Sequence, residues 1–146
     1  MTINDMSIED ASAMAHIDSV SMGGCAWTEK MFRDEFFDTT KYYLVAKINE
    51  TVVGYCGFQH ILDQADIMNI AILPEFRGQG IGKQLLNSIL ELADSLSVTG
   101  ITLEVAENNA VAIGLYEYFG FTKEGIRKNY YNNNTNALIY WKYFNN

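Results

Sequence analysis

A glycine-rich segment in the middle of the chain has the residue types and spacing of an anion-binding loop. It is formed by Arg77-Gly78-Gln79-Gly80-Ile81-Gly82 and lies between a predicted strand and a predicted long helix. The first turn of a helix exposes backbone N–H groups, and the helix dipole adds partial positive charge there. Three glycines let this backbone approach a ligand closely. The segment therefore predicts a phosphate site, because a turn that only reverses the chain needs neither Arg77 nor the following helix.

Two common phosphate-binding motifs do not fit this segment. A P-loop has glycine at the position of Arg77 and serine or threonine at the position of Gln84. The dinucleotide-binding fingerprint has glycine at the position of Lys83. Both motifs are therefore excluded.

The elements that must position the loop lie on either side of it. Residues 67–73 predict a buried strand that ends at Pro74. Apolar residues recur at helical spacing over residues 81–96, which predicts a helix of about four turns. Further along the chain, residues 101–105 predict a strand and residues 110–119 a short helix.

The remaining segments complete an α/β architecture. A strand near residues 2–3, a helix from Ser7 and a helix over residues 28–37 precede a hairpin of residues 42–48 and 52–58. Of the last two predicted strands, one begins at Phe121 and the other covers residues 137–144. Together these elements predict a mixed, mostly antiparallel sheet flanked by helices. Because 49% of the 146 residues are apolar, we expect one domain, residues 1–146.

The formal net charge of −8 narrows the classes of partner. Nucleic-acid binding needs a basic stripe that releases counterions from phosphates, so nucleic acid is not expected. An acidic surface attracts cationic partners. The same charge also suits a solvated surface that aids solubility, and both explanations stay open.

Patterns of export, membrane insertion and metal binding are not found in the sequence. The first ten residues lack the basic and apolar regions of a secretory signal. The longest apolar stretches fall far short of the roughly 20 residues that span a bilayer. Cys25 and Cys56 lack the paired spacing of a zinc site or a disulfide scaffold. We therefore expect a cytoplasmic protein without a membrane segment or a metal, and a monomer, with a weak dimer as the alternative.

Several segments resemble the GNAT acetyltransferase superfamily across nearly the whole chain. Residues 77–82 resemble its pyrophosphate-binding loop, and residues 109–117 with Gly120-Phe121 resemble the segment that completes its cofactor site. A narrower resemblance to one branch, the RimI-type ribosomal-protein-alanine N-acetyltransferases, is carried by Ala26-Trp27-Thr28-Glu29, Leu103-Glu104-Val105 and Ile126-Arg127-Lys128-Asn129-Tyr130-Tyr131. The chain departs from this branch at Ala26, where proline is frequent, and at Asn136, where an acidic residue usually precedes the last strand.

The resemblance implies the GNAT fold and acetyl-coenzyme A (acetyl-CoA) as co-substrate. The glycine loop is expected to bind the pyrophosphate, and the strand before Pro74 the pantetheine arm, with amides that help to polarise the thioester carbonyl. The strand side chains alone suggest only core, and Asn109 also suits the cap of the next helix. The implied contacts are Ile70, Ala71, Ile72, Arg77, Gly78, Gln79, Gly80, Ile81, Gly82, Lys83 and Asn109.

The same resemblance implies two catalytic residues. Glu104 matches the general base, which acts through water, and strand alternation directs its side chain opposite to Leu103 and Val105. Tyr116 matches the general acid, because a phenol with a reference pKa of about 10 stays protonated at neutral pH and can donate to the coenzyme A sulfur. From the residues alone, an exposed strand position for Glu104 and core packing for Tyr116 remain alternatives. Neither cysteine has a histidine at motif spacing, so we expect direct attack in a ternary complex.

The acceptor is expected to be an amine, and the resemblance favours the N-terminal α-amino group of a protein such as a ribosomal protein. The pKa of this group is about 2.5 units below that of lysine, so one glutamate neutralises it more readily. Trp27, Tyr130 and Tyr131 match residues that frame the peptide entrance in RimI-type enzymes, although each also suits ordinary packing. Two alternatives stay open: a small acceptor such as a polyamine or an aminoglycoside, and a non-catalytic acyl-CoA-binding module.

Overall fold

The computed structural model describes residues 1–21, 26–131 and 134–144. Seven strands lie within them: β1 (Thr2–Asp5), β2 (Lys41–Ile48), β3 (Thr51–Ile61), β4 (Gln64–Ile72), β5 (Gly100–Ala106), β6 (Thr122–Arg127) and β7 (Ala137–Tyr143). They form one sheet in the order β1-β2-β3-β4-β5-β7-β6. β4 and β5 pair in parallel, whereas the other neighbours are antiparallel. The predicted mixed, mostly antiparallel sheet is confirmed.

The α-helices of the described residues cover both faces of the sheet. They are α1 (Ala11–Ser21), α2 (Glu29–Phe36), α3 (Ile81–Ser95) and α4 (Ala110–Tyr118). On β3, Tyr55 packs against Phe32 of α2, while Gly54 lies beside Leu85 of α3. Because neighbouring residues of a strand face opposite sides, α2 and α3 lie on opposite faces. None of these helices has the length and apolar character to cross a membrane.

Local side chains and turns fix the ends of several predicted elements. Thr28 Oγ1 accepts a hydrogen bond from Met31 N at 3.2 Å and caps α2. Asn49 and Glu50 both have positive φ, 50° and 69°, which matches the twist of a tight hairpin between β2 and β3. The predicted beginning of this helix and the predicted hairpin are confirmed.

A second hairpin, between β3 and β4, was not predicted. β3 continues to Ile61 and β4 begins at Gln64, so both strands are longer than the sequence pattern indicates. The turn contains Leu62 at a φ of 53°, where glycine or asparagine is usual. The turn therefore lacks the residue types by which a sequence reveals it.

The sheet opens between β4 and β5. β4 continues to Ile72 and β5 to Ala106, well beyond the end of their pairing. The strands therefore border a gap in the middle of the sheet. Their paired positions are Gln64–Gly100, Ala65–Ile101 and Asp66–Thr102.

Candidate active site

The glycine loop joins the end of β4 to α3. Gly78 and Gly80 have φ angles of 77° and 82°, a left-handed conformation that favours glycine. A Cβ atom at either residue would meet nothing within 4 Å, so the space beside this backbone is open. The loop therefore exposes the backbone surface that a large anion requires.

The beginning of α3 offers donors to such an anion. Its N-cap is Gly80, which has no side chain to cap the helix, and its first turn carries no acidic residue. The first helical hydrogen bond runs from Gln84 N to Gly80 O at 3.1 Å. The N–H groups of the first turn, Ile81, Gly82 and Lys83, therefore point out of the end of the helix. This arrangement fits the predicted pyrophosphate site.

Local contacts hold the two cationic side chains near the loop. Arg77 donates from Nε to Ile72 O at 3.1 Å and from Nη2 to Ser21 Oγ at 3.2 Å. Lys83 Nζ lies 4.1 Å from the ring centre of Tyr118. Arg77 thus ties the end of β4 to α1, a role that the sequence did not indicate. The predicted phosphate contacts of Arg77, Gln79 and Lys83 stay predictions.

The backbone of β4 turns toward the gap. Leu73 N donates a hydrogen bond to β3 at 2.8 Å, and hydrogen-bonded pairs alternate along an antiparallel ladder. Ile70 and Ile72 therefore direct their N–H and C=O groups away from β3, whereas Ala71 directs its own toward β3. Ile70 N donates to Asn69 Oδ1 at 2.9 Å, and a bulge at Met68 precedes this edge. The edge suits the predicted pantetheine arm.

Glu104 lies on β5, beyond the positions that pair with β4. Its neighbours Leu103 and Val105 are 4% and 5% exposed, whereas its own side chain is 30% exposed. This alternation is as predicted. Oε1 of Glu104 lies 2.9 Å from Nη2 of Arg127 on β6, so the ion pair reaches across β7. Spacing along the chain does not reveal this contact, because it depends on the order of the strands.

Tyr116 lies on α4, with its ring buried against Phe121 at 5.8 Å between centroids. Burial raises the pKa of its phenol above the ordinary value of about 10, and charge on Cys56 and Tyr131 would raise it further. The phenol therefore keeps its proton at neutral pH.

Tyr131 interacts electrostatically with both predicted catalytic residues. Partial burial raises the pKa of Tyr131, and the negative charge of Glu104 raises it further. Tyr131 in turn contributes to the raised pKa of Tyr116. Tyr131 is thus within electrostatic range of Glu104 and Tyr116, and its ring lies 5.2 Å from that of Tyr130.

Trp27 belongs to the α1–α2 side of the molecule. Its backbone N–H donates to Asp18 Oδ2 at 3.2 Å, and its ring lies 5.5 Å from that of Phe32. These contacts support the packing alternative for Trp27, and they do not join it to Tyr130 or Tyr131. Its part in the peptide entrance stays a prediction.

The loop that carries Tyr130 and Tyr131 is fastened by Asn136. Asn129 N donates to Asn136 Oδ1 at 2.9 Å, and Asn136 Nδ2 donates to Glu107 Oε2 at 3.2 Å. An acidic side chain at position 136 could accept the first bond but could not donate the second. Asparagine at position 136, where the RimI-type pattern has an acidic residue, is therefore explained by the Glu107 carboxylate, which accepts a hydrogen bond from its amide.

Two other predicted positions have clear structural environments. Asn109 Oδ1 accepts from Ala112 N at 3.2 Å and caps α4, so its capping role is confirmed and its cofactor contact stays a prediction. Burial raises the pKa of the Cys56 thiol to about 12, which disfavours a nucleophilic thiolate. Cys25 lies outside the described residues. Within the described ranges, no cluster of His, Cys, Asp or Glu could hold a metal ion.

Comparison with known proteins assigns the chain to a family. The sequence model described as "Acetyltransferase (GNAT) family" matches residues 11–121. A Bacillus subtilis (strain 168) protein, provisionally named a ribosomal protein bS18-alanine N-acetyltransferase, is 39% identical over 141 residues, which cover 95% of this chain and 93% of that protein. The Escherichia coli (strain K12) ribosomal protein bS18-alanine N-acetyltransferase is 32% identical over 130 residues, 89% of this chain and 86% of its own. The crystal structure of the ribosomal-protein-S18-alanine N-acetyltransferase from Escherichia coli has a TM-score of 0.87 at 31% identity, and the match covers 96% of this chain and 91% of that one. The chain therefore belongs to the GNAT family, as an acetyl-CoA-dependent N-acetyltransferase.

Proposed function

We propose that this enzyme acetylates the N-terminal α-amino group of a protein, such as a ribosomal protein, by direct attack in a ternary complex. The observation that carries the proposal is the position of Glu104 on β5, the strand that borders the gap, beyond the residues that pair with β4. The names of the Bacillus subtilis and Escherichia coli relatives support a ribosomal protein as acceptor. The cytoplasmic location and the monomeric state stay predictions.

The open glycine loop and the backbone edge of β4 support the binding at this site of acetyl-CoA, which supplies an acetyl group activated as a thioester. Gly78, Gly80 and the first N–H groups of α3 would bind the pyrophosphate. The C=O of Ile70 and the N–H of Ile72 would pair with the pantetheine arm in the gap, since Ile70 N already donates to Asn69 and Ile72 O accepts from Arg77. Lys83 would add positive charge beside the loop.

Glu104 would take the proton from the acceptor ammonium. Its side chain is partly exposed, which leaves room for a water molecule between carboxylate and amine. The pKa of an α-amino group is about 2.5 units below that of a lysine side chain, so removing its proton costs roughly 3.4 kcal/mol less. A single glutamate can therefore deprotonate an α-amino group more readily than a lysine side chain. This difference in pKa favours an N-terminus over a lysine side chain as acceptor.

Tyr116 would donate its proton to the departing thiolate sulfur. Burial raises the pKa of this phenol, so the proton stays in place until the sulfur acquires negative charge. The resulting tyrosinate would then be neutralised from solvent. Acid and base are therefore separate groups in this proposal.

The test is an acceptor panel with acetyl-CoA, in which thiol release and the mass of the acceptor are both followed. One peptide begins Ala-Arg, its control is the same peptide with an acetylated N-terminus, and the small amines are spermidine and an aminoglycoside. Acetylation of the free N-terminus supports the proposal. Transfer to the small amines alone would move the assignment to that class, and coenzyme A binding without any transfer would indicate a binding module.

A further inference from the structure

Arg127 pairs with the carboxylate that is proposed as the general base. Its Nη2 atom lies 2.9 Å from Glu104 Oε1. Under the proposed function the same carboxylate receives the proton of the acceptor ammonium. Guanidinium and ammonium are both cationic hydrogen-bond donors, so an ammonium that approaches Glu104, directly or through one water molecule, competes with the guanidinium for its negative charge.

The contacts of Arg127 allow it to leave that carboxylate. Its side chain is 54% exposed, and its guanidinium carbon lies 5.2 Å from the ring centre of Tyr130, which is itself 50% exposed. Moving this side chain therefore breaks contacts with groups that are themselves partly exposed. An exposed ion pair strengthens an association by no more than about fivefold, so a well-bound acceptor can replace it.

We infer that Arg127 limits acceptor affinity, by pairing with Glu104 in the resting protein and giving up this place to the acceptor amine. The inference rests on the proposed function. An amine that must displace the guanidinium binds well only if the rest of the acceptor adds contacts of its own. An extended peptide finds such contacts at Tyr130 and Tyr131, whereas a small amine does not. Arg127 therefore lowers the affinity for every acceptor amine, and an acceptor with further contacts, such as a peptide, still binds.

Peptide binding isolates the effect of Arg127 from other effects of its replacement. Titration calorimetry with coenzyme A present compares wild type and Arg127→Gln, using the Ala-Arg peptide with a free and with an acetylated N-terminus. We expect Arg127→Gln to lower the Kd of the free-amine peptide about two- to fivefold and to leave that of the acetylated peptide unchanged. Arg127→Lys keeps a cation beside Glu104 and should retain the wild-type values.

Lys123→Gln is the matched control, because it removes the same charge from an exposed position on the same strand. It should change neither Kd. The inference is overturned if Arg127→Gln weakens or does not alter binding of the free-amine peptide, if both peptides respond equally, or if Lys123→Gln gives the same shift.

Turnover separates this inference from the proposed function. Acetylation of the peptide N-terminus without the expected Kd pattern refutes the role of Arg127 alone. The Kd pattern without acetylation of the peptide supports that role in binding and refutes the proposed reaction alone.

Discussion

The phenol of Tyr55 donates a hydrogen bond of 2.6 Å to Oδ1 of Asp18, and both residues are buried, at 1% and 2% exposure. Asn69 donates to the same phenol oxygen at 2.7 Å, and the other oxygen of Asp18 accepts from Trp27 N. Three segments therefore meet at this pair: α1, β3 and the edge of β4 that borders the gap. A buried carboxylate is tolerated only while it is hydrogen-bonded.

Tyr55→Phe should lower the free energy of unfolding by about 2–3 kcal/mol, because it leaves the Asp18 carboxylate and the Asn69 amide with one partner fewer in the core. Urea denaturation measures the change. Tyr143→Phe is the control, since Tyr143 donates to Glu124 at an exposed position and should cost no more than about 0.5 kcal/mol. Equal losses in the two variants would contradict the structural role of the pair.

Glu104→Gln should lower kcat by about 10²- to 10⁴-fold, because glutamine has the same shape but cannot accept the proton. The affinity for coenzyme A should change little. The defect should shrink above about pH 8, where the α-amino group is deprotonated without help. Acetylation rates from pH 6 to 9 test this, with Glu91→Gln on the exposed surface of α3 as control. A constant deficit across this range would exclude Glu104 as the base.

Tyr116→Phe should lower kcat about 100-fold by removing the proton donor. The ring keeps its packing against Phe121, so the free energy of unfolding should remain close to that of wild type. Thiol release from acetyl-CoA measures the rate, and urea denaturation provides the structural check. A rate within threefold of wild type would remove Tyr116 from the mechanism.

Stability should fall at alkaline pH. Burial is the main cause that raises the pKa values of Tyr43, Tyr55 and Tyr116. Above about pH 10 the unfolded chain releases these protons while the folded protein keeps them, so the folded state is favoured below that pH and loses stability above it. The slope is about 1.4 kcal/mol per pH unit for each tyrosine.

Cys56, with a pKa of about 12 in the folded protein, should extend this loss down to about pH 9, where an unfolded thiol ionises. Urea denaturation at pH 8, 9, 10 and 11 under reducing conditions measures the combined curve. Tyr116→Phe should make the decline above pH 10 shallower. An unchanged free energy of unfolding up to pH 11 would contradict the burial of these groups.

The parts of the site that depend on local sequence could be predicted. The glycine loop, the helix that begins at Ile81 and the alternation around Glu104 all follow from residues a few positions apart. The pairing of Glu104 with Arg127 could not be predicted, because β7 lies between their strands although it follows both in the chain. The same holds for Asp18 and Tyr55, which are 37 positions apart. The turn at Leu62 was missed for a different reason, since tertiary pairing of β3 with β4 overrides an unfavourable turn residue.

The short pairing between β4 and β5 divides the sheet into two leaves. Four strands lie on one side of it and three on the other, and the two leaves share three paired positions. Twisting one leaf against the other meets less resistance at this seam than across the longer antiparallel ladders on either side. A ligand that fills the gap would span the seam and add a bridge between the two leaves.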